Sequence, residues 1–201
     1  MIAIIDYGAG NLKSVEKAIN FLGEDTVITR DKDEILSADK VILPGVGNFG
    51  DCMEKINECN LKNTIYDVVD KKTPFLGICL GLQLLFNESD EAKGVAGLGI
   101  LDGKIKKFDS DMGLKIPHIG WNSLKLLNNG RLFNGVKDNS FVYFVHSYYL
   151  DAKDKDIVRA KSDYGIKFEA SIEKDNVFAC QFHPEKSGET GLKILKNFIE
   201  L

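Results

Sequence analysis

Two hydrophobic rhythms run along this chain, and one gives way to the other near residue 99. Up to that point, short apolar runs alternate with stretches whose apolar residues recur at helical spacing. Residues 2–6 read as a first strand, closed by a polar loop, Asp-Tyr-Gly-Ala-Gly-Asn, at 6–11. A helix over 12–22 follows, with Val15, Ala18, Ile19 and Leu22 on one face. Strands are predicted at 26–29 and 38–43, helices near 49–58 and 61–71, a buried strand at 73–78 and a helix over 80–86. This βα alternation predicts an α/β fold with a largely parallel sheet covered by helices on both faces. Ligands of such sheets sit at the carboxyl ends of the strands, so the loops after Leu43 and Ile78 should open onto any site.

Beyond residue 99 the pattern changes to short β-rich runs at 100–108, 115–127, 140–150, 157–160, 166–172 and 176–182, punctuated by Gly, Asn and Asp. Antiparallel, hairpin-like β structure added to the parallel core is the expectation. A helix from about Thr190 closes the chain, with Leu192, Leu195, Phe198 and Ile199 on its apolar face. No repeat, low-complexity tract or linker divides the sequence, so residues 1–201 are expected to form one domain.

Composition narrows the function classes. With 201 residues, 44% hydrophobic and 28% charged, the chain has the make-up of an ordinary globular protein. A net charge of -4 and a pI near 5.5 argue against a nucleic-acid-binding module. The first six residues lack the basic and apolar regions of a signal peptide, and no apolar run approaches the roughly 20 residues of a membrane helix. Four scattered cysteines without a Cys-x-x-Cys pair fit free thiols in the cytoplasm. Gly8 and Gly10 open a dinucleotide-like fingerprint, but Lys13 stands where its third glycine belongs, so no cofactor is expected.

The chemistry centres on Gly77-Ile78-Cys79-Leu80-Gly81. A Gly-x-Cys-x-Gly between strand and helix is the cysteine form of the nucleophile elbow, whose tight turn leaves no room for side chains two residues either side. Its helix N-terminus favours a thiolate. The competing reading is a buried structural cysteine. After the strand at 176–182 come His183, Pro184 and Glu185. A cysteine attacking an acyl carbon needs a base, and the base needs a partner on its other ring nitrogen. If the backbone stays extended across Pro184, His183 and Glu185 project to the same side. The N–H of Leu80 is one candidate oxyanion donor, and the Pro44-Gly45-Val46-Gly47 loop can supply a second. A metal site built from Cys79, Cys180, His183 and Glu185 is disfavoured, because Cys180 and His183 tend to face opposite sides of a strand. His118 and His146 lack ligand spacing, and Cys52 and Cys59 are read as packing.

Taken together, these motifs resemble the class I glutamine amidotransferases, the triad glutaminases with chain order Cys, His, Glu. The likeness covers essentially the whole length. Pro-His-Ile-Gly-Trp-Asn at 117–122 and His-Pro-Glu-Lys-Ser at 183–187 resemble the branch of that family serving histidine biosynthesis. The resemblance implies that Cys79, His183 and Glu185 hydrolyse glutamine to glutamate and ammonia, with Val46 and Leu80 forming the oxyanion hole. It implies that Gly47, Gln83, Glu91, Ser147 and Tyr148 hold the amino-acid end of glutamine. It also implies a heterodimeric partner, a (β/α)8-barrel cyclase that receives the ammonia, with Asn11, Trp121 and Lys186 at the interface. The alternatives are a paralogous glutaminase feeding a surface-sugar amidotransferase, a catalytically silent binding subunit, and a cysteine peptidase on a related scaffold.

Overall fold

A computed structural model describes residues 1–127 and 130–201. Its first half follows the predicted alternation: β1 (Ile2–Ile5), α1 (Leu12–Phe21), β2 (Thr26–Thr29), α2 (Lys32–Ser37), β3 (Lys40–Gly45), α3 (Phe49–Glu58), α4 (Leu61–Asp70), β4 (Phe75–Cys79) and α5 (Leu80–Leu84). The second half adds β5 (Glu88–Ser89), β6 (Gly103–Lys107), β7 (His118–Ser123), β8 (Lys125–Leu126), β9 (Phe141–His146), β10 (Tyr148–Ala152), β11 (Val158–Asp163), β12 (Lys167–Lys174), β13 (Val177–Cys180) and α6 (Gly188–Ile199).

The main sheet runs β2-β1-β3-β4-β13-β12-β10-β6-β5, with β11 and β8 joined at β12. Strands β2, β1, β3, β4 and β13 pair in parallel, whereas β12, β10 and β6 continue the sheet antiparallel. The inner parallel strands β1, β3, β4 and β13 are buried on both faces, β2 at the edge is half-buried, and successive residues divide between two cores. Ala3, Ile5, Val41 and Leu43 pack with α3 and α4 through Met53, Ile56, Ile65 and Val68. Ile2, Ile4 and Ile42 pack on the opposite face with Val15 and Ile19 of α1 and with Ile194, Leu195 and Phe198 of α6.

Three departures from the sequence expectation have local causes. Helix α2 was not anticipated, because six residues burying only Ile35 carry no readable periodicity; its start is capped by Asp31, which accepts from the Asp33 and Glu34 N–H groups. The run at 140–150 is two strands. Strand β9 pairs with β7 in a small separate sheet, and after Ser147 the chain enters the main sheet as β10. The helix after the elbow ends at Leu84, two residues early.

Candidate active site

Strands β3, β4 and β13 are neighbours, and their carboxyl ends are level: Gly45 pairs with Cys79, and Cys180 with Ile78. The three segments singled out in the sequence therefore emerge side by side, although they lie far apart along the chain.

Cys79 sits at φ 56° and ψ −111°, a backbone region that L-residues rarely occupy and that turns the strand abruptly into α5. The close approach requires the flanking glycines. A Cβ on Gly81 would lie 1.9 Å from the Leu43 carbonyl oxygen, and one on Gly77 would lie 2.8 Å from the Gly81 carbonyl oxygen. The thiol lies 3.8 Å from the Val145 carbonyl and 3.8 Å from Gln181 Nε2.

His183 follows β13 and is 3% exposed. Its Nδ1 lies 2.8 Å from Glu185 Oε1, and the Glu185 side chain is itself 1% exposed. The backbone across Pro184 is not extended, as the sequence reading supposed. Residues Pro184–Lys186 form a 3-10 turn, because proline's fixed φ suits its first position. The His183 carbonyl accepts both the Lys186 N–H at 3.0 Å and the Ser187 hydroxyl at 2.6 Å. His183 alone stays extended, and the turn brings the carboxylate back to its Nδ1 edge. Burial disfavours the charged imidazole, but the neighbouring Cys79 sulfur and the hydrogen bond to the Glu185 carboxylate outweigh it, and His183 is pushed up to about 9.

A cavity of about 290 Å³ lies over these groups. It takes in Cys79, Leu80 and His183, the Val46 and Gly47 edge of the β3 loop, and Gln83, Glu91, Ser147, Tyr148 and Lys186. Its size is at the lower end of the roughly 300–1,000 Å³ usual for small-molecule sites. The Glu91 carboxyl accepts the Phe49 N–H at 2.8 Å, and burial pushes it above the ordinary carboxylate range. The Gln83 amide nitrogen is already committed, donating to the Tyr148 carbonyl at 3.3 Å and to Gln181 Oε1 at 3.0 Å. Gln83 therefore shapes the wall through protein contacts.

Asn11 and Trp121 lie outside this cavity. Asn11 borders a crevice of about 10 Å³ next to Glu185, Pro44 and Gly45, and Glu185 Oε2 is buried there without a protein partner. Trp121 is 55% exposed on β7, edge-on to Tyr143. Among the described residues, no three His, Cys, Asp or Glu side chains are arranged to hold a metal ion, and no helix is long and apolar enough to cross a membrane.

The sequence reading missed several contributors. Gln181 touches the thiol and stands two residues before His183, a spacing that could have revealed it. Tyr7 and Cys52 hold the β3 loop: the Tyr7 hydroxyl donates to the Pro44 carbonyl at 2.8 Å, and the Cys52 thiol to the Val46 carbonyl at 3.5 Å. The two peptides flanking the Gly45–Val46 link are thus both tethered. Cys52 was read as simple packing, and no local signal pairs it with that loop.

Comparison with known proteins gives the family and the fold. The family model described as glutamine amidotransferase class-I matches residues 3–201. The imidazole glycerol phosphate synthase subunit HisH of Methanocaldococcus jannaschii is 55% identical, with 100% of both chains covered. The subunit of the same name from Bacillus cereus is 54% identical over 98% of this chain and 93% of its own. Among solved structures, a glutamine amidotransferase superposes with a TM-score of 0.78 at 16% identity, covering 100% of this chain and 98% of that one. PurLQS from Thermotoga maritima superposes with a TM-score of 0.77 at 21% identity, covering 99% and 97%. Those two likenesses speak to the fold; the full-length identities and the family model establish descent, and the chain belongs to the class I glutamine amidotransferases, in the group of imidazole glycerol phosphate synthase HisH subunits.

Proposed function

We propose that this chain is a single-domain glutaminase that hydrolyses L-glutamine at Cys79 and passes the ammonia to a partner in imidazole glycerol phosphate synthesis, within histidine biosynthesis. The observation that carries the reading is the strained elbow. Cys79 is held at positive φ on the floor of the cavity, beside a histidine braced at 2.8 Å by a buried carboxylate. Nothing but catalysis needs that combination.

In the reaction, the Cys79 sulfur attacks the side-chain amide carbon of glutamine. The tetrahedral oxyanion is held by the N–H groups of Leu80, at the start of α5, and Val46. His183 carries a proton at neutral pH and donates it to the leaving nitrogen, which departs as ammonia as the γ-glutamyl thioester forms. The ring, now neutral, takes a proton from water as water attacks the thioester. Glutamate is released, and sulfur and ring return to their starting states. Glu185 fixes the ring and stabilises its charged form. Gly47, Gln83, Glu91, Ser147 and Tyr148 surround the amino-acid end of the substrate, with the Glu91 carboxylate suited to the ammonium group.

Ammonia released into cytoplasmic water would become mostly ammonium and lose its nucleophilicity, so it is handed directly to an acceptor site. The partner of this reading is a (β/α)8-barrel cyclase docked over the cavity mouth. The exposed Trp121 and Lys186, together with Asn11, form part of the contact. The test is glutamate release by the chain alone and with the cyclase, with and without the cyclase's nucleotide ligand. Strong activation by partner and ligand, abolished by Cys79→Ala, is expected. Turnover indifferent to the cyclase would assign the ammonia to another acceptor. No turnover under any condition would overturn the reading.

A further inference from the structure

The two histidines that the sequence left without a role stand opposite each other in the β7–β9 pair, and their rings meet in the core. His118 Nδ1 lies 3.0 Å from His146 Nε2, and His146 Nδ1 lies 2.8 Å from the Tyr148 carbonyl oxygen. On the far side, Asn122 Nδ2 lies 3.4 Å from His118 Nε2 and donates to the Asp163 carbonyl at 2.8 Å. The rings are clamped by aromatic neighbours. His118 is stacked between Tyr164 and Phe144, with centroids 4.0 and 5.0 Å away, while Phe108 and Phe168 flank His146 at 5.2 and 5.0 Å.

This geometry dictates where the protons are. A carbonyl can only accept, so His146 carries its hydrogen on Nδ1 and, when neutral, accepts at Nε2. His118 must then donate from Nδ1 and accept at Nε2, where the Asn122 amide supplies the hydrogen. Each group thus donates to the next, from Asn122 through His118 and His146 to Tyr148. Burial supports neutrality, pushing His118 down to about 4 and His146 down to about 3. The chain ends where it matters, because the carbonyl of Tyr148 also receives Gln83, and the same residue lines the cavity. Here the backbone changes sheets: the Ser147 carbonyl accepts the Phe108 N–H at 3.1 Å and Tyr148 opens the pairing of β10 with β6, so the relay adds a side-chain tether where the main-chain ladder begins.

We propose that His118 and His146 are positioning residues for the glutaminase site: a neutral, one-directional donor relay that holds the Ser147–Tyr148 backbone in place to receive the amino-acid end of the substrate. The proposal rests on the reading of that backbone as a substrate wall.

Two measurements test it. In ¹⁵N spectra of the full-length chain at pH 7, both histidines should show the neutral form protonated on Nδ1, the minor tautomer of free imidazole. A hydrogen on Nε2 of either ring, or a charged ring, would overturn the relay. In the assembled complex, His118→Phe keeps a stacked ring but removes the donor. It should raise KM for glutamine about tenfold and leave kcat within about threefold. His118→Asn places an amide nitrogen near the Nδ1 position and should recover most of that loss. If the phenylalanine variant does not fold, His118→Gln, whose amide nitrogen falls near Nε2, takes its place and should show the raised KM. An unchanged KM in the donor-deleted variant, or equal KM in the asparagine and donor-deleted variants, would overturn the proposal even if both tautomers are as expected. Failure of the parent reading looks different: the wild-type complex itself would not turn over glutamine, and the proposal would fall with it.

Discussion

The charge on His183 should be visible in the stability of the fold. Its pKa is raised to about 9, against 6.5 for an unperturbed histidine, so the native state holds this proton more tightly than the unfolded chain does. A raised pKa stabilises fully below the unfolded value, and the benefit fades as pH climbs through the folded one. The contribution is therefore complete below about pH 6.5 and gone above about pH 9, and the difference is worth about 3 kcal/mol. Burial opposes it; the neighbouring Cys79 sulfur and the Glu185 carboxylate, 2.8 Å from Nδ1, supply it. The measurement is urea unfolding of the wild type and of His183→Gln at pH 6, 7.5 and 9.5. The stability gap between them should shrink by about 3 kcal/mol across that range. With Glu185→Gln the ring loses one of the two groups that raise its pKa, and the slope should flatten. Parallel profiles for wild type and His183→Gln would refute the argument, because they would mean that the native state holds the proton no more tightly than the unfolded chain does.

Three further outcomes follow from the same geometry. Gly81→Ala places a Cβ 1.9 Å from a backbone oxygen that has no rotamer by which to move aside. It should cost at least about 3 kcal/mol, a drop in Tm of roughly 6–12 °C by calorimetry, and a melt matching the wild type would contradict the close approach. Cys79→Gly and Cys79→Ala should both abolish glutaminase activity, yet the glycine variant should be the more stable by about 1 kcal/mol. That inversion of the usual order arises because only glycine relieves φ 56°, and an alanine variant as stable as the glycine one would mean that the elbow is not strained. Glu185→Gln should lower kcat about 10²–10⁴-fold with KM little changed, since the amide can orient the imidazole but cannot stabilise its charge. A kcat within threefold of wild type would remove Glu185 from the mechanism.

What was legible in the sequence was local. The elbow is readable because everything it needs lies within two residues of Cys79, and the parallel core because each buried strand is followed by an amphipathic helix. The small sheet was less so. A β-rich run from Ser140 to Leu150, with only His146 and Ser147 polar inside it, gives no sign that the chain leaves one sheet at Ser147 and enters another, since both strands bury one side. The His118–His146 relay was invisible for a related reason: two histidines 28 residues apart meet only through the register of β7 on β9, and hydrophobic periodicity carries no register.

The juxtaposition of Cys79 and His183 in one cavity depends on such a register too. His183 lies more than a hundred residues after Cys79, and no motif in either segment says that the last strand of the chain inserts between β4 and β12. It does so in parallel, with Cys180 opposite Ile78. Side chains alternate along that strand, so Cys180 enters the core beneath while Gln181 turns to the thiol from above. A slip of one residue would exchange those faces, presenting Cys180 to the cavity and turning Gln181 away. Both faces of β13 are buried, and what resists the slip is size: Phe178, packed edge-on against Phe198 in one core, would have to take the place of Ala179 in the other. The packing that stabilises this end of the sheet is thus also what sets His183 beside Cys79, which is why a catalytic geometry can be assembled by residues that never touch the substrate.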